Sequence, residues 1–552
     1  MQRDSKRLRT RPAGARDLKS TYDYVIVGAG SAGCVLANRL SRAGRYTVLL
    51  LEAGPRDSNP WIHVPLGYGK LFAEPKVNWM YQSEPEPELG GRSVFTPRGK
   101  VLGGSSSING LVYIRGQRED FDEWARLGNS GWGFDDVLPY FRKSETFQHG
   151  ASAFHGGEGP LAVSELPDRH VLCDAFIDAA ASIGIPRNDD FNGASQEGAG
   201  YYHVTARNGR RSSSAVAYLR PARGRKNLRV LTDALVTRIG FEQQLANSVE
   251  YRWKGKLCKI RAGKEILLCG GSINSPQLLQ LSGVGPQELL EHHGIRVVAD
   301  APGVGEGMQD HFYVRTVWRC SQPITINDAI GSLGGRIATG LRYALFRRGP
   351  LTVSGGYAGA FARSRSDVSR PDVQFYLINF STDKMGTNLH PFPAFTASMS
   401  PLRPESRGSV RIRSADPGES PAIQYNFLSA DGDKRVAVDG LKRLHALMSA
   451  PAMKPYVRER HLPPARAFSD DDWLDYARDN GGTVYHPTTT CRMGQDQQAV
   501  VDDRLRVHGV RGLRVVDASI MPNVVSGNSN AAVIMIAEKA ADMILSDADV
   551  PA

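Results

Sequence analysis

Tyr24-Val-Ile-Val-Gly28-Ala-Gly30-Ser-Ala-Gly33, followed by Cys34-Val-Leu-Ala-Asn-Arg-Leu40, is the stretch that decides the fold of this chain. The apolar, β-branched run Val25, Ile26, Val27 has the length and residue type of a buried parallel strand. It breaks at Gly28, and three glycines lead straight into a helical pattern. Gly28 permits a tight turn, Gly30 leaves out the Cβ that would block a pyrophosphate, and Gly33 lets helix and strand pack closely. The unpaired N–H groups at the helix start favour phosphate. A second strand, Tyr46-Thr-Val-Leu-Leu-Leu-Glu52, ends in an acid 19 residues beyond Gly33. In that place an acid binds the ribose hydroxyls of an adenine dinucleotide. Strand, glycine turn, helix, strand and acid together carry far more weight than the glycine spacing alone.

Composition sets the class. Of 552 residues, 41% are hydrophobic and 23% charged, a soluble globular balance. The longest apolar runs fall short of the ~18 residues that span a bilayer, and the N-terminus has no apolar signal core. The expected location is the cytoplasm. The net charge of +11 is uneven: residues 1–20 hold seven Lys/Arg and two acids, a net of +5, leaving +6 for the other 532. That tail reads as disordered, and weak association with the inner face of a membrane is its candidate role. No nucleic-acid module and no basic-aromatic stripe is present, so nucleic acid is not an expected partner. Six scattered cysteines, without C-x-x-C or metal spacing, predict reduced thiols and no metal site.

Residues 60–98 are rich in Pro, Gly and aromatics and read as a long ordered loop. Pro97-Arg-Gly-Lys-Val-Leu-Gly103-Gly-Ser-Ser-Ser-Ile108-Asn109-Gly follows, a Gly/Ser stretch whose backbone N–H groups can converge on an anion or a flavin edge. Helices are predicted within 119–148 and near 171–184, and paired strands over Leu228–Ile239. Glu265–Gly270 reads as a buried strand, running into Gly271-Ser-Ile-Asn-Ser275-Pro and a short helix. Residues 320–475 change character: strands at Asp372–Ile378 and Gly408–Ile412 and a helix over 432–450 suggest a second unit on an antiparallel sheet. Leu513–Asp517 and a helix over 531–546 return to the first unit. The expected fold is α/β: a Rossmann-type dinucleotide unit (21–165, 205–320 and 475–552) interleaved with an α+β substrate unit (166–204 and 321–474) behind the basic tail, 1–20.

Three separated motifs in this order resemble the glucose–methanol–choline (GMC) flavoprotein oxidoreductases: Gly99–Ile108, Gly271–Gly285, and Tyr485-His486-Pro487 with Asn530. The resemblance runs from about 22 to 546. It implies FAD rather than NAD, with an alcohol as hydride donor. It implies FAD contacts from Gly28, Gly30, Ser31, Ala32, Gly33, Glu52 and Ala53; from Val101, Gly103, Gly104, Ser105, Asn109 and Gly110; and from Val236, Asp517, Ala518, Asn530 and Ala531. It makes His486 and Asn530 the catalytic pair and places Tyr485 and Tyr313 at the substrate. An alcohol is roughly 9 pKa units less acidic than imidazolium, so ionising it beforehand would cost about 12 kcal/mol. The proton must leave together with the hydride or be strongly stabilised during hydride loss, with His486 as base and Asn530 orienting the oxygen.

Three departures from the family pattern refine the expectation. Relatives that bind FAD covalently do so through a His where this chain has Ile108, so FAD should be non-covalent. Choline enzymes carry a glutamate two residues past the His of Gln309-Asp310-His311, where this chain has Tyr313; a neutral primary alcohol is the expected substrate. Relatives often carry Gly at the position of Thr489. Oxidation of such an alcohol by a dehydrogenase is the leading reading, with a quinone or O2 as electron acceptor. An oxidase, a choline dehydrogenase and a hydroxynitrile-lyase-type flavoprotein are the alternatives.

Overall fold

The computed structural model describes residues 18–383, 388–464 and 468–549. The basic tail up to residue 17 lies outside them, as does any role for it. The strand Thr21–Val27 sits in the middle of a mixed sheet, parallel to Val48–Leu51 on one side and to the second half of Lys256–Leu268 on the other. Leu228–Leu231 extends the parallel part beyond Val48–Leu51, and Leu513–Val515 pairs with Ile266–Leu268. The first half of Lys256–Leu268 turns antiparallel against Leu245–Trp253, which pairs with Ala234–Glu242. Helices cover the parallel part, so Val25, Ile26, Leu49 and Leu50 are fully buried and read as continuous apolar runs.

The helix Ser31–Leu40 packs between this sheet and the last helix, Asn530–Asp549, and both are buried along most of their length. The two are clamped by Arg39, whose guanidinium donates to both oxygens of Glu538 at 2.6 and 2.7 Å, with the Tyr218 hydroxyl donating to the same carboxylate at 2.8 Å.

A second sheet is wholly antiparallel, in the order Val457–Leu462, Phe312–Cys320, Ala394–Pro401, Val373–Ile378, Ala358–Ala362, Gly198–Tyr201. The helix Asp431–Ser449 covers one face and the other turns toward the first sheet, which buries the two central strands on both sides. The strand Phe312–Cys320, expected in the first unit, belongs here, and Gly482–Thr483 pairs with it. Its alternating sequence fits either sheet; the long-range pairing decides. Residues 60–98 are more regular than a loop: short helices span Pro60–His63 and Tyr68–Leu71, and Tyr81–Gln82 pairs with Phe95–Thr96.

Candidate active site

A cavity of about 490 Å³ runs from the glycine turn after the first strand to the face of the second sheet. At the first-strand end Gly28 has φ +97°, and a Cβ there would lie 2.6 Å from the Cys269 carbonyl oxygen. A Cβ on Gly33 would collide with the Gly28 carbonyl, so Gly33 serves helix packing and does not reach the cavity. Gly30 has only one neighbour near its missing Cβ, the Cys269 oxygen at 3.8 Å, and faces open space. The second Gly/Ser stretch closes on this turn: Gly103 N–H donates to the Ala29 carbonyl at 2.7 Å, and a Cβ on Gly104 would lie 2.6 Å from Gly30 Cα.

Glu52 ends the second strand with each carboxylate oxygen accepting one backbone N–H, from Ala29 and from Gly54, both at 2.8 Å. Burial pushes its carboxyl up to about 7. Each oxygen retains lone-pair capacity for a hydroxyl. The helices starting at Ser31, Gly271 and Asn530 all begin on the cavity wall, so three helix N-termini with their positive dipole ends converge there. On the same wall the Ser272 hydroxyl and Arg98 Nε are buried without a protein partner. This donor set and the open glycine cradle fit an adenine dinucleotide.

Of the residues expected at a cofactor, Gly28, Gly30, Ser31, Ala32, Glu52, Ala53, Gly104, Ser105, Asn109, Gly110, Val236, Asp517, Ala518 and Asn530 line the cavity. Val101, Gly103, Gly33 and Ala531 do not. Val101 is fully buried in a small cluster with Ile62, Leu71, Val77 and Ile108; Ala531 faces the main core. Two wall residues spend their polar atoms on protein. Asn109 Oδ1 accepts from Arg211 at 2.5 Å, and Asp517 accepts from Gly271 N–H at 2.8 Å and the Ser275 hydroxyl at 2.6 Å.

At the other end His486 is fixed at three atoms. Its N–H donates to Asp310 Oδ1 at 2.8 Å. Its Nδ1 lies 3.0 Å from Nδ1 of His311, and its Nε2 lies 3.2 Å from the amide nitrogen of Asn528. The tautomers follow from the far end of this chain. The Leu402 carbonyl can only accept, so His311 Nε2, 3.0 Å away, carries a hydrogen. Burial holds His311 down to about 4 and neutral, leaving its Nδ1 as an acceptor. His486 Nδ1–H must then donate, and His486 Nε2 presents a lone pair to the cavity. Burial, His311 and Arg98 hold His486 well below the usual histidine range. The amide of Asn528 is oriented in turn, its oxygen accepting from Gln374 Nε2 at 3.3 Å.

Asn530, expected beside His486, instead accepts from the Ser31 hydroxyl at 2.7 Å. It joins the starts of two helices; Asn528 is the residue that reaches His486. Asn528-Ser-Asn530 offers two asparagines two apart, and no spacing argument separates them. Tyr485 takes a left-handed backbone, φ +74°, and its carbonyl accepts from Arg98 at 3.1 Å. Thr489 is also left-handed, φ +72°, a strained position for a β-branched residue and the reason a Gly suits it. Its hydroxyl accepts from Gln309 N–H at 3.0 Å, which helps to hold it there. Tyr313 and Tyr376 line this end with ring centroids 6.1 Å apart, and Tyr68 and Phe72 add further aromatic wall. The Asp310 carboxylate does not reach the cavity wall; it lies beneath His486, bound to Thr483 as well.

Comparison with known proteins shows the family. A family model described as GMC oxidoreductase matches residues 22–313 with its N-terminal part and 404–537 with its C-terminal part. The chain is 42% identical to alcohol dehydrogenase (acceptor) of Pseudomonas putida, covering 96% of each. It is 41% identical to oxygen-dependent choline dehydrogenase of Photobacterium profundum, covering 96% of this chain and 94% of that one. Among solved structures, pyridoxine 4-oxidase from Mesorbium loti superposes with a TM-score of 0.86 at 31% identity, over 94% of this chain and 98% of that one.

Proposed function

This chain belongs to the GMC oxidoreductase family, and from that membership we propose that it oxidises a neutral primary alcohol to the aldehyde with FAD, held without a covalent bond. FAD supplies the hydride acceptor. The reading rests on one observation, the His486 Nε2 lone pair facing the Asn528 amide donor across 3.2 Å at the cavity wall. A hydroxyl bound to one side of this pair, taking the place of the direct contact, gives its proton to His486 Nε2 and receives a hydrogen bond from Asn528 Nδ2 on the same oxygen. That oxygen gains negative charge as its carbon loses hydride, and the amide donor stabilises the change. Because His486 is held well below its ordinary range, it accepts the proton only as that charge develops, and it gives the proton up once the product leaves.

A neutral substrate is supported by the residue types at this end of the cavity: Tyr313, Tyr376, Tyr68, Phe72 and Tyr485, with no carboxylate where choline enzymes place one. Choline is the second reading. The π faces of Tyr313 and Tyr376 can attract a quaternary ammonium, and several similar relatives are named choline dehydrogenase. Anaerobic mixing of the holoenzyme with primary aliphatic alcohols, aromatic alcohols and choline tests both. Bleaching of the flavin by the neutral alcohols is expected. No bleaching by any alcohol would remove the reaction, and a highest kcat/KM for choline would replace the substrate. Reoxidation by a quinone analogue faster than by O2 is the result expected of a dehydrogenase.

A further inference from the structure

The helix Leu333–Phe346 is turned inside out. Its body-facing side is small and partly polar: only Thr339 and Tyr343 are buried, and the Tyr343 hydroxyl donates to the Gly209 carbonyl at 3.1 Å. Its solvent side carries Leu333, Ile337, Leu341 and Leu345, spaced by four residues and so aligned on one face, and exposed by 74%, 55%, 56% and 71%. Phe346, at 69%, adds an exposed aromatic ring in the last turn, about 100° around the helix axis from Leu345. An ordinary surface helix buries such residues and exposes its polar side. Of the nine large hydrophobic side chains exposed among the described residues, five lie on this one helix.

Arginines rim the stripe. Arg336, Arg342 and Arg348 are exposed, Arg347 lies over the Tyr343 ring, and the exposed Arg210 lies in the same hairpin as Gly209. Asp168 faces them, 3.4 Å from Arg342 and 3.7 Å from Arg348, and offsets one positive charge of the five. No helix among the described residues is long and apolar enough to cross a membrane. An apolar stripe with a cationic rim on a non-spanning helix is the composition of an element lying in the plane of an anionic lipid surface.

We propose that Leu333–Phe346 docks this protein on an anionic bilayer, with Leu333, Ile337, Leu341, Leu345 and Phe346 entering the headgroup boundary and the arginines meeting lipid phosphates. A second copy of the chain is the poorer occupant. A stripe ~21 Å long and ~10 Å wide covers about 200 Å², against roughly 800 Å² per partner in a standard interface, and self-pairing would bring the two arginine rims together. Docking here also bears on access. Nine residues after Phe346 the chain reaches Gly355, which lines the cavity and donates to the Gly110 carbonyl at 2.7 Å. The docked helix is thus continuous with a cavity wall, which suits a lipophilic alcohol or electron acceptor drawn from the bilayer.

Vesicle flotation of the full-length holoenzyme tests this. Phosphatidylcholine vesicles containing phosphatidylglycerol should carry the wild type up the gradient, less so in 0.5 M salt and much less so with phosphatidylcholine alone. The Leu341→Glu/Leu345→Glu variant should float at least tenfold less, while flavin content and turnover with a soluble acceptor stay unchanged. A variant lacking residues 1–17 should still float. Because the double variant can fail for unrelated reasons, Phe346→Trp gives an independent reading: its emission should shift to the blue on adding the anionic vesicles. Equal flotation of the Glu variant, loss of flotation on removing only the tail, or an unshifted emission spectrum from Phe346→Trp would overturn the proposal. So would a wild-type dimer in sedimentation that the Glu variant dissolves, which would assign the stripe to self-association.

Discussion

The Nδ1 atoms of His311 and His486 lie 3.0 Å apart, with the two rings nearly perpendicular. Through this contact the Leu402 carbonyl sets the tautomer of a residue it never touches. We expect His311→Phe, which leaves His486 Nδ1–H without an acceptor, to slow flavin reduction roughly 10–100-fold, the usual scale for a residue that orients another. His311→Gln, whose amide oxygen can accept, should recover part of the loss. The pH profile separates positioning from general damage. The wild-type rate should be flat through neutral pH and fall only in acid, as His486 is protonated below its depressed pKa. Removing His311, one of the groups that depress it, should move that fall to higher pH. An unmoved profile in a well-folded His311→Phe protein would assign His311 to packing alone.

His486→Ala should slow flavin reduction 10²–10⁴-fold, the range for a positioned base, with FAD retained at the opposite end of the cavity. Asn528→Ala should also slow it, and the two losses should not add because both groups act on one oxygen. Asn530→Ala should leave the reduction rate near wild type and cost about 0.5–1.5 kcal/mol of stability through its Ser31 bond. Stopped-flow reduction with thermal melts decides between the two asparagines. A slow Asn530→Ala beside a fast Asn528→Ala would reverse their roles.

FAD should separate from the protein on acid denaturation. Ile108, buried against Val101 and Ile62, offers no nucleophile to a flavin. Yellow colour remaining in the precipitate would show a covalent link from another side chain.

Tyr313→Glu should raise kcat/KM for choline relative to a neutral alcohol of similar size. The change puts a carboxylate into an aromatic end of the cavity, where the ring now offers only its π face. Because Tyr313 sits in the strand Phe312–Cys320 at the centre of the site, the melting temperature must be followed alongside. Unchanged preference in a stable variant would place the selectivity on other walls, with Tyr376 the next residue to test.

Local chemistry accounts for the features legible in the chain before it folds. The turn Gly28–Gly33 needs glycines for its own backbone and its neighbour's, the apolar run before it can only be buried, and Glu52 follows at a set distance along one strand. These constraints act within a few residues and leave a readable pattern, as do the Gly103–Gly104 stretch and the histidine in Tyr485-His486-Pro487. Position across the fold leaves none. Asn528 and Asn530 are the same residue type on one approach to one helix, and only the packing of the second sheet, through Gln374, turns the first toward His486. Val101 lies inside a motif rich in wall residues, yet its side chain points into a core. Phe312–Cys320 alternates as any strand would, and its sheet is chosen by partners more than 70 residues away. The outward stripe of Leu333–Phe346 has the ordinary helical period; which face meets solvent is settled by what the rest of the chain packs beneath Thr339 and Tyr343. Tertiary structure decides these points because side-chain direction and burial are properties of neighbours distant in sequence.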